Sequence, residues 1–492
     1  MPRALLSVHD KSGIEEFARG LVACGWTIVS SGGTAATLAA AGIAVTDVAD
    51  ITGVPAILDH RVVTLHPKIH GGILADTSKP GHVADMAAHG IEAFDLVVVS
   101  LYPFSSKPGI ELIDVGGPAM IRAAAKNFAR VGVVVDVSQY AAVLAEIRSS
   151  GALSDDTRRA LAARAFTATR DYDSAIVEWI TDGASRSVHL ERVDSLRYGE
   201  NPHQQGSLWD VAGAPGWWRA ARRLGGKEMS YLNVFDADAA WRLVNRFDSA
   251  AAVVVKHANP CGVATAATIH EAYVRAHGCD PVSAFGGIIA VNRTVDAATA
   301  ASINEVFTEV VVAPGFAPDA LVALQSKKNL RIVEASVPAM VGPELRSVSG
   351  GVLVQDTDPV ADEPSTWTVV SEKKPTAEQV KLASFAWQVC ASVSSNAITI
   401  ANDFQAVGIG GGQQNRLDAA RLACERAGDR AIGGVAASDA FFPFRDGLDM
   451  LARAGVTVVV EPGGSVRDEE VIAAANEHGI VLIFTGMRHF RH

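Results

Sequence analysis

The sequence predicts an α/β protein of two domains, the first built on a parallel sheet covered on both faces. Three observations lead there. The 492 residues exceed what one hydrophobic core normally supports. Short runs rich in Val, Ile and Ala alternate with segments of helical period. One stretch, 182–195, is rich in Gly, Ser and charge, as a boundary is. The domains are therefore expected at 1–190 and 191–492.

In order, residues 3–8 alternate into a strand, and Ile14, Phe17, Ala18, Leu21 and Val22 recur on one helical face before Gly25 closes that helix. Residues 26–30 form the next strand. It runs into Ser30-Ser31-Gly32-Gly33-Thr34 and an alanine-rich helix, a unit that turns backbone N–H groups toward an anion. Strands follow at 96–100 and 131–135 around a helix near 121–126, and helical segments from 155 to 180 finish the domain. The second domain has apolar strands at 251–255, 287–291 and 310–313. A polar, proline-bearing stretch at 356–368 divides it, and 396–401, 406–409, 456–460 and 480–484 read as further strands. Two similar-sized α/β lobes result, with no residue-level repeat that by itself establishes a duplication.

Hydrophobic residues make up 49% and charged residues 20%, the balance of a compact fold. A net charge of -11 argues against non-specific nucleic-acid binding but leaves small anionic substrates open. Cys24, Cys261, Cys279, Cys390 and Cys424 are odd in number and widely spaced, so neither a disulfide framework nor a thiolate metal cage is expected. There is no charged leader followed by an apolar core and no apolar run of membrane-spanning length, so a cytoplasmic location without membrane partners is expected.

The run Val253-Val254-Val255-Lys256-His257-Ala258-Asn259-Pro260-Cys261-Gly262 delivers an adjacent Lys and His from a core strand into a turn assigned to Pro260 and Gly262. An imidazole takes a proton near neutrality, and an ammonium beside it steadies negative charge. A lysine reaching solvent and a histidine bonded to backbone fit the same letters. Both side chains serve one site only if the chain bends there.

Ser7-Val8-His9-Asp10-Lys11-Ser12-Gly13 ends the first strand, so Lys11 and Ser12 face the ligand of the serine-glycine turn; Asp10 and Ser12 read equally well as helix caps. Arg61 to Gly72 crowds basic groups beside glycines, and Pro67 argues against a metal-binding helix face for His66 and His70. Tyr102, Asp114 and Lys126, on three connections, are placed to converge at one sheet edge. Arg197, Tyr198 and His203 offer a guanidinium, a ring and an imidazole. Gly408 to Arg416 lets backbone approach a ligand, and Phe441, Phe442 and Phe444 sit beside charges but read more readily as core.

Together these phrases, in order from Leu5 to His492, resemble the bifunctional AICAR transformylase and IMP cyclohydrolase family of purine biosynthesis. The resemblance implies a methylglyoxal-synthase-like parallel α/β domain that closes the purine ring. It also implies a duplicated cytidine-deaminase-like α/β domain that moves a formyl group from 10-formyltetrahydrofolate to AICAR. A homodimer with transformylase sites at its interface, and AICAR, FAICAR, IMP and folate as ligands, follow from the same resemblance. A monovalent cation is compatible with it. Zinc is not expected, because no His-x-Glu with Pro-Cys-x-x-Cys is present and Pro260-Cys261 lacks a second cysteine.

By the resemblance, His257 takes the proton of the AICAR amine and Lys256 assists charge at the formyl carbonyl or departing folate nitrogen. Arg197, Tyr198, His203, Asn233, Gly286, Asn396, Phe442, Arg488 and His492 are substrate-contacting or supporting positions, and Glu309 stands where the family usually has Asp. For ring closure, Lys11, Ser12, Ser31, Gly32, Gly33, Thr34, Arg61 and Thr64 contact phosphate and ribose, while Tyr102, Asp114 and Lys126 orient the reacting groups. The family commonly has a lysine where this chain has Val63, with Lys68 or Lys126 as candidate substitutes. Two alternatives remain: a transformylase whose first domain only binds nucleotide, and a zinc-dependent nucleobase hydrolase.

Overall fold

The structure, a computed structural model, describes residues 1–214, 216–338, 342–361 and 363–492. It divides into two compact units, Met1–Ser187 and Val188–His492.

The first unit runs β1 (Arg3–Val8), α1 (Ile14–Ala23), β2 (Thr27–Ser30), α2 (Gly32–Ala40), β3 (Val45–Asp47), α3 (Val48–Thr52), α4 (Pro67–Leu74), α5 (Pro80–His89), β4 (Leu96–Ser100), α6 (Gly116–Lys126), β5 (Gly132–Val134), α7 (Tyr140–Ser150) and α8 (Asp155–Ile180). Its strands form one parallel sheet in the order β3-β2-β1-β4-β5. The order reverses between β1 and β4, and a crevice opens at such a switch point beyond the strands' carboxyl ends. Central strands buried on both faces explain the unbroken apolar letters Leu96, Val97, Val98 and Val99 of β4. Val22 departs from its expected place: one residue past the face of Ile14, Phe17, Ala18 and Leu21, it is 41% exposed. Asp10 and Ser12 do not cap α1, whose N-cap is Gly13 without a side-chain bond.

The second unit opens with a hairpin, β6 (Leu190–Leu196) and β7 (Gly206–Val211), so the stretch expected to be a linker carries a strand. There follow β8 (Arg222–Gly225), α9 (Tyr231–Val244), β9 (Ala250–Lys256), β10 (Asn259–Ala266), α10 (Ile269–His277), α11 (Pro281–Ala284), β11 (Gly287–Val291), α12 (Ala297–Asn304), β12 (Thr308–Ala313), α13 (Pro318–Gln325) and β13 (Arg331–Glu334). A second hairpin, β14 (Pro343–Val348) and β15 (Gly351–Asp356), leads to β16 (Thr368–Val369), α14 (Ala377–Cys390), β17 (Ile398–Asn402), β18 (Gln405–Gly410), α15 (Arg416–Ala427), β19 (Val435–Ser438), α16 (Asp446–Arg453), β20 (Val458–Glu461), α17 (Asp468–Glu477) and β21 (Val481–Phe484).

Twelve of these strands form one sheet, β16-β21-β20-β19-β17-β18-β10-β9-β11-β12-β13-β8. Read outward from its middle, each half repeats one plan: an antiparallel hairpin (β9-β10, β17-β18), a strand antiparallel to it (β11, β19), two parallel neighbours (β12-β13, β20-β21) and an antiparallel edge (β8, β16). The duplication that the letters left open is thus present in the topology. Gly262 and Gly408, each fourth in the second strand of its hairpin, mark it too. A Cβ would fall 1.9 Å from the Ala276 carbonyl oxygen in one half and 2.2 Å from that of Ala423 in the other, so each glycine seats the following helix. Within the glycine run after Gly408, a Cβ at Gly410 would meet the Ala419 carbonyl oxygen at 2.1 Å, so helix packing fixes that position, whereas Gly411 lines a cavity together with Gln413.

Strand β9 explains its own composition. Ala251, Val253 and Val255 enter one core layer and Ala252 and Val254 the other. Deep in the second half, burial raises the pKa of Glu461 to about 8, although the Phe442 N–H donated to its Oε2 at 2.7 Å opposes the shift. A carboxyl whose folded pKa lies above its unfolded value stabilises fully below about 4.5, and that contribution is lost as pH rises through 8. Glu461→Gln should therefore match the parent near pH 5 and exceed it by about 1 kcal/mol or more near pH 8, checked by denaturant unfolding at both values.

Candidate functional site

In the first unit, the carboxyl ends of β1, β2 and β4 open into a cavity of about 660 Å³. Lys11, Ser31, Gly32, Gly33 and Thr34 line it on the side of the α2 N-terminus, and Arg61, Thr64, Tyr102 and Asp114 line the rest. Ser31 is the N-cap of α2 and makes no side-chain cap bond, so the first N–H groups of that helix face the cavity. Thr34 is tied to β1, its Oγ1 accepting from the Val8 N–H at 3.1 Å and donating to the Val8 carbonyl at 3.0 Å. The Lys11 ammonium bonds the Val8 carbonyl and, at 3.3 Å, that of His9. Arg61 pairs with Glu111.

Asp114 stands at the start of α6, its Oδ1 accepting from the Gly117 N–H at 2.8 Å, while its own N–H donates to the Tyr172 hydroxyl at 2.8 Å. Burial raises its pKa, opposed by the Gly117 bond and the charge of His9. The Tyr102 ring meets His9 edge-on, centroids 5.3 Å apart.

Several expected members are elsewhere. The Ser12 hydroxyl donates to Asp10 at 2.7 Å within its own loop and does not line the cavity. Lys126 is exposed at the far end of α6, about 15 Å of helix from Asp114. Lys68 donates to the Ile51 carbonyl at 2.9 Å. Neither lysine enters the cavity, whose wall at residue 63 is the apolar side chain of Val63. His66 caps α4 through Nδ1, which accepts from the Lys68 N–H at 3.1 Å, and Pro67 begins that helix instead of breaking it.

In the second unit, Lys256 and His257 line a cavity of about 290 Å³ together with Asn259, Ser283, Gln413 and Arg426. The turn is not the expected one. Lys256 pairs across the ladder with Asn259, so the two-residue connection is His257-Ala258, and Pro260 and Gly262 lie in β10 with a register shift between them. Both turn residues have left-handed φ, 54° and 56°, the conformation of a type I′ hairpin that ordinarily takes Asn and Gly. Three neighbours hold it. Asp236 on α9 accepts the His257 N–H at 3.1 Å and the Ala258 N–H at 2.8 Å. Arg491 donates to the Ala258 carbonyl at 2.7 Å and that of Ser392 at 2.6 Å. Asn259 gives its Nδ2 to the His257 carbonyl at 3.1 Å and takes the Ser394 N–H at 2.8 Å. Burial raises the pKa of Asp236, and the two N–H bonds and the charges of His257 and Lys256 oppose it.

This turn bends the chain where Lys and His must share one site. The Lys256 Nζ donates to the carbonyls of Phe285 at 2.9 Å and Gly286 at 3.3 Å, leaving one of its three N–H groups for a ligand. The exposed His257 ring has no hydrogen bond to a described residue. Gly286 has φ of 69°, and a Cβ there would lie 3.2 Å from the Lys256 Nζ. Gly286→Ala thus strains the backbone and presses on the ammonium; loss of about tenfold in turnover at this site is expected, measured as kcat.

The other expected residues do not line this cavity. Arg197 stacks over Tyr198 with its guanidinium 5.2 Å from the ring, and His203 is exposed. Asn233 closes a capping box with Ser230 at the start of α9. Glu309 pairs with buried Arg331. Asn396 accepts from Arg416 at 2.8 Å and donates to the Gln413 carbonyl at 2.9 Å. Phe442 is 1% exposed and belongs to the core, as the aromatic letters suggested. Arg488 lies over Phe490, and the His492 carbonyl accepts from Arg346. Asp236 and Arg491 were missed: the first sits on the buried face of α9 among Ala237, Ala240 and Trp241, a position where an acid needs a partner.

Among the described residues no group of three or more His, Cys, Asp or Glu side chains is arranged to hold a metal, and no helix is long and apolar enough to cross a membrane.

The sequence matches the family profile of the AICARFT/IMPCHase bienzyme over residues 124–426 and that of the MGS-like domain over residues 13–128. It is 50% identical to the bifunctional purine biosynthesis protein PurH of Myxococcus xanthus (strain DK1622), over 99% of this chain and 100% of that protein. It is 48% identical to the protein of that name from Mycobacterium marinum (strain ATCC BAA-535 / M), over 100% of this chain and 98% of the other. The crystal structure of ForH is 37% identical and covers 38% of this chain and 100% of its own, at a TM-score of 0.35.

Proposed function

The chain belongs to the AICARFT/IMPCHase bienzyme family, and from that premise we propose that each cavity carries one of two successive reactions. The protein is bifunctional: it transfers a formyl group from a folate co-substrate to AICAR, giving FAICAR, and closes FAICAR to IMP with loss of water. Similarity over the full length, spanning both units, is the observation that carries this reading and disfavours a transformylase whose first domain only binds nucleotide.

Formyl transfer is assigned to the Lys256-His257 turn. The AICAR amine is conjugated into its ring and weakly nucleophilic, so it needs its proton removed as it attacks the formyl carbon. His257 takes that proton. The free N–H of Lys256 stabilises the oxyanion and then supplies the proton with which the folate nitrogen leaves. The co-substrate is 10-formyltetrahydrofolate. Arg197, Tyr198, His203, Arg488 and His492 face solvent in one chain and are completed as substrate contacts by a second copy, the enzyme acting as a homodimer. The exposed apolar positions Val352, Leu353 and Val354 on β15 support a covered surface. Asn233, Gly286, Glu309, Asn396 and Phe442 act as supports behind those contacts. The protein works in the cytoplasm.

Ring closure is assigned to the first-unit cavity. The nucleotide phosphate sits on the α2 N-terminus with Lys11, and Thr64 and Arg61 flank the ribose. Tyr102 and Asp114 orient formyl and carboxamide groups that already share one molecule, so much of the acceleration is positional. The test is a two-step assay following FAICAR and IMP separately: AICAR with 10-formyltetrahydrofolate should give both in succession, and FAICAR accumulating without IMP would contradict the assignment of the first unit.

A further inference from the structure

Ring closure needs more than positioning, because protons must leave two nitrogens and reach one oxygen, and few groups in the first-unit cavity are free to carry them. Arg61 is paired with Glu111. The Lys11 ammonium gives two of its three N–H groups to backbone carbonyls and keeps the third for the phosphate, Asp114 is held by the Gly117 N–H, and Val63 contributes no ionisable group where it lines the wall. Lys68 and Lys126 lie outside.

One lining residue has a chemistry none of these supply. His9 follows the last residue of β1 at the switch point, and its backbone is fixed by Ser100, whose Oγ accepts the His9 N–H at 2.8 Å and whose carbonyl accepts it at 3.2 Å. Its ring is exposed, has no hydrogen bond to a described residue, and stands edge-on to Tyr102 at 5.3 Å and 84°. Its charge acts on Asp114 and on Asp10, so the groups that face it are Tyr102, Asp114, Asp10 and the neighbouring Lys11. His60 also lines the cavity, on an exposed loop, but the ring contact with Tyr102 and the charge acting on Asp114 are those of His9. An imidazole accepts and returns a proton near neutrality, which neither a phenol nor a guanidinium does.

We propose that His9 is the proton-transfer residue of ring closure in this chain. The assignment rests on the cyclohydrolase reading of this cavity. As the carboxamide nitrogen bonds to the formyl carbon, His9 takes the proton that nitrogen sheds, and the carbonyl π pair moves onto oxygen. The imidazolium returns that proton to the oxygen, giving a hydroxyl. His9 then takes the proton of the formamido nitrogen, whose electron pair forms the ring C=N bond. The C–O bond breaks, and the hydroxyl leaves as water with the proton from the imidazolium. FAICAR becomes IMP plus one water, and His9 ends as it began.

The experiment measures FAICAR cyclisation by the full-length protein and by His9→Gln and His9→Ala, with formyl transfer and IMP affinity as checks on folding. For both variants kcat should fall about 100-fold with KM little changed. The acidic limb of the kcat–pH profile should disappear, and added imidazole should restore part of the His9→Ala rate. Wild-type turnover in His9→Gln, or a loss that leaves the pH profile intact and does not respond to imidazole, would overturn the role of His9. A parent protein unable to cyclise FAICAR would instead sink the cyclohydrolase reading of the cavity, and the role of His9 with it.

Discussion

Replacing His257 with alanine should lower formation of FAICAR by about 1,000-fold while FAICAR closes to IMP at the parent rate. The magnitude follows from what a positioned general base contributes, about 100- to 10,000-fold, at a nucleophile as weak as the AICAR amine. The ring bonds no described residue, so its loss leaves no buried group unpaired and the fold intact. Separate measurement of the two half-reactions, with a thermal melt of the variant, checks it. Equal loss of both reactions would mean that one residue serves both and that the division of labour between the units is wrong.

Exchanging Asp236 for asparagine should lower formyl transfer by about 100-fold, although Asp236 touches no substrate. Each carboxylate oxygen accepts one N–H of the His257-Ala258 turn. An amide keeps one acceptor and turns its NH2 group toward the other N–H, leaving a buried donor unsatisfied at a cost of about 1–3 kcal/mol. Two non-glycine residues at left-handed φ persist only while their surroundings enforce it. Once the turn relaxes, the imidazole shifts, and a displacement of about 1 Å is enough to cost about 100-fold in kcat. The expected pattern is a fallen kcat with AICAR affinity nearly kept, read by steady-state kinetics beside calorimetric binding. A fall in affinity with kcat preserved would place Asp236 in substrate contact instead.

The first sheet was legible because its strands are apolar runs ended by turn letters; Arg3–Val8, Leu96–Ser100 and the helix Asp155–Ile180 fall where periodicity puts them. Strand β10 was not, because Pro260 and Gly262 are turn letters elsewhere. Proline is tolerated there since β10 and β18 are in register only at Ala264 and Gln405, so the Pro260 side needs no N–H. Glycine is required by the carbonyl of α10, a constraint from a residue 14 positions away that no local pattern encodes. In the sites, the residues that meet the ligand spaces are those whose letters carry chemistry: Lys256, His257, Tyr102 and Asp114. The letters that hold them are quieter. Asp236 looks like one more acid of a solvated helix, and Arg491 passes as a solvated chain end beside Arg488 and His492, until the fold brings both to one turn.

Arg491 and Ala258 are 233 positions apart along the chain, so the hairpin that presents the formyl-transfer pair gains the last of its three clamps only after the intervening strands and helices have been synthesised. The phosphate cradle at the end of β2, by contrast, draws on nothing later than Met120. A growing polypeptide can thus shape its phosphate cradle early, well before the hairpin that serves the preceding step is fully held.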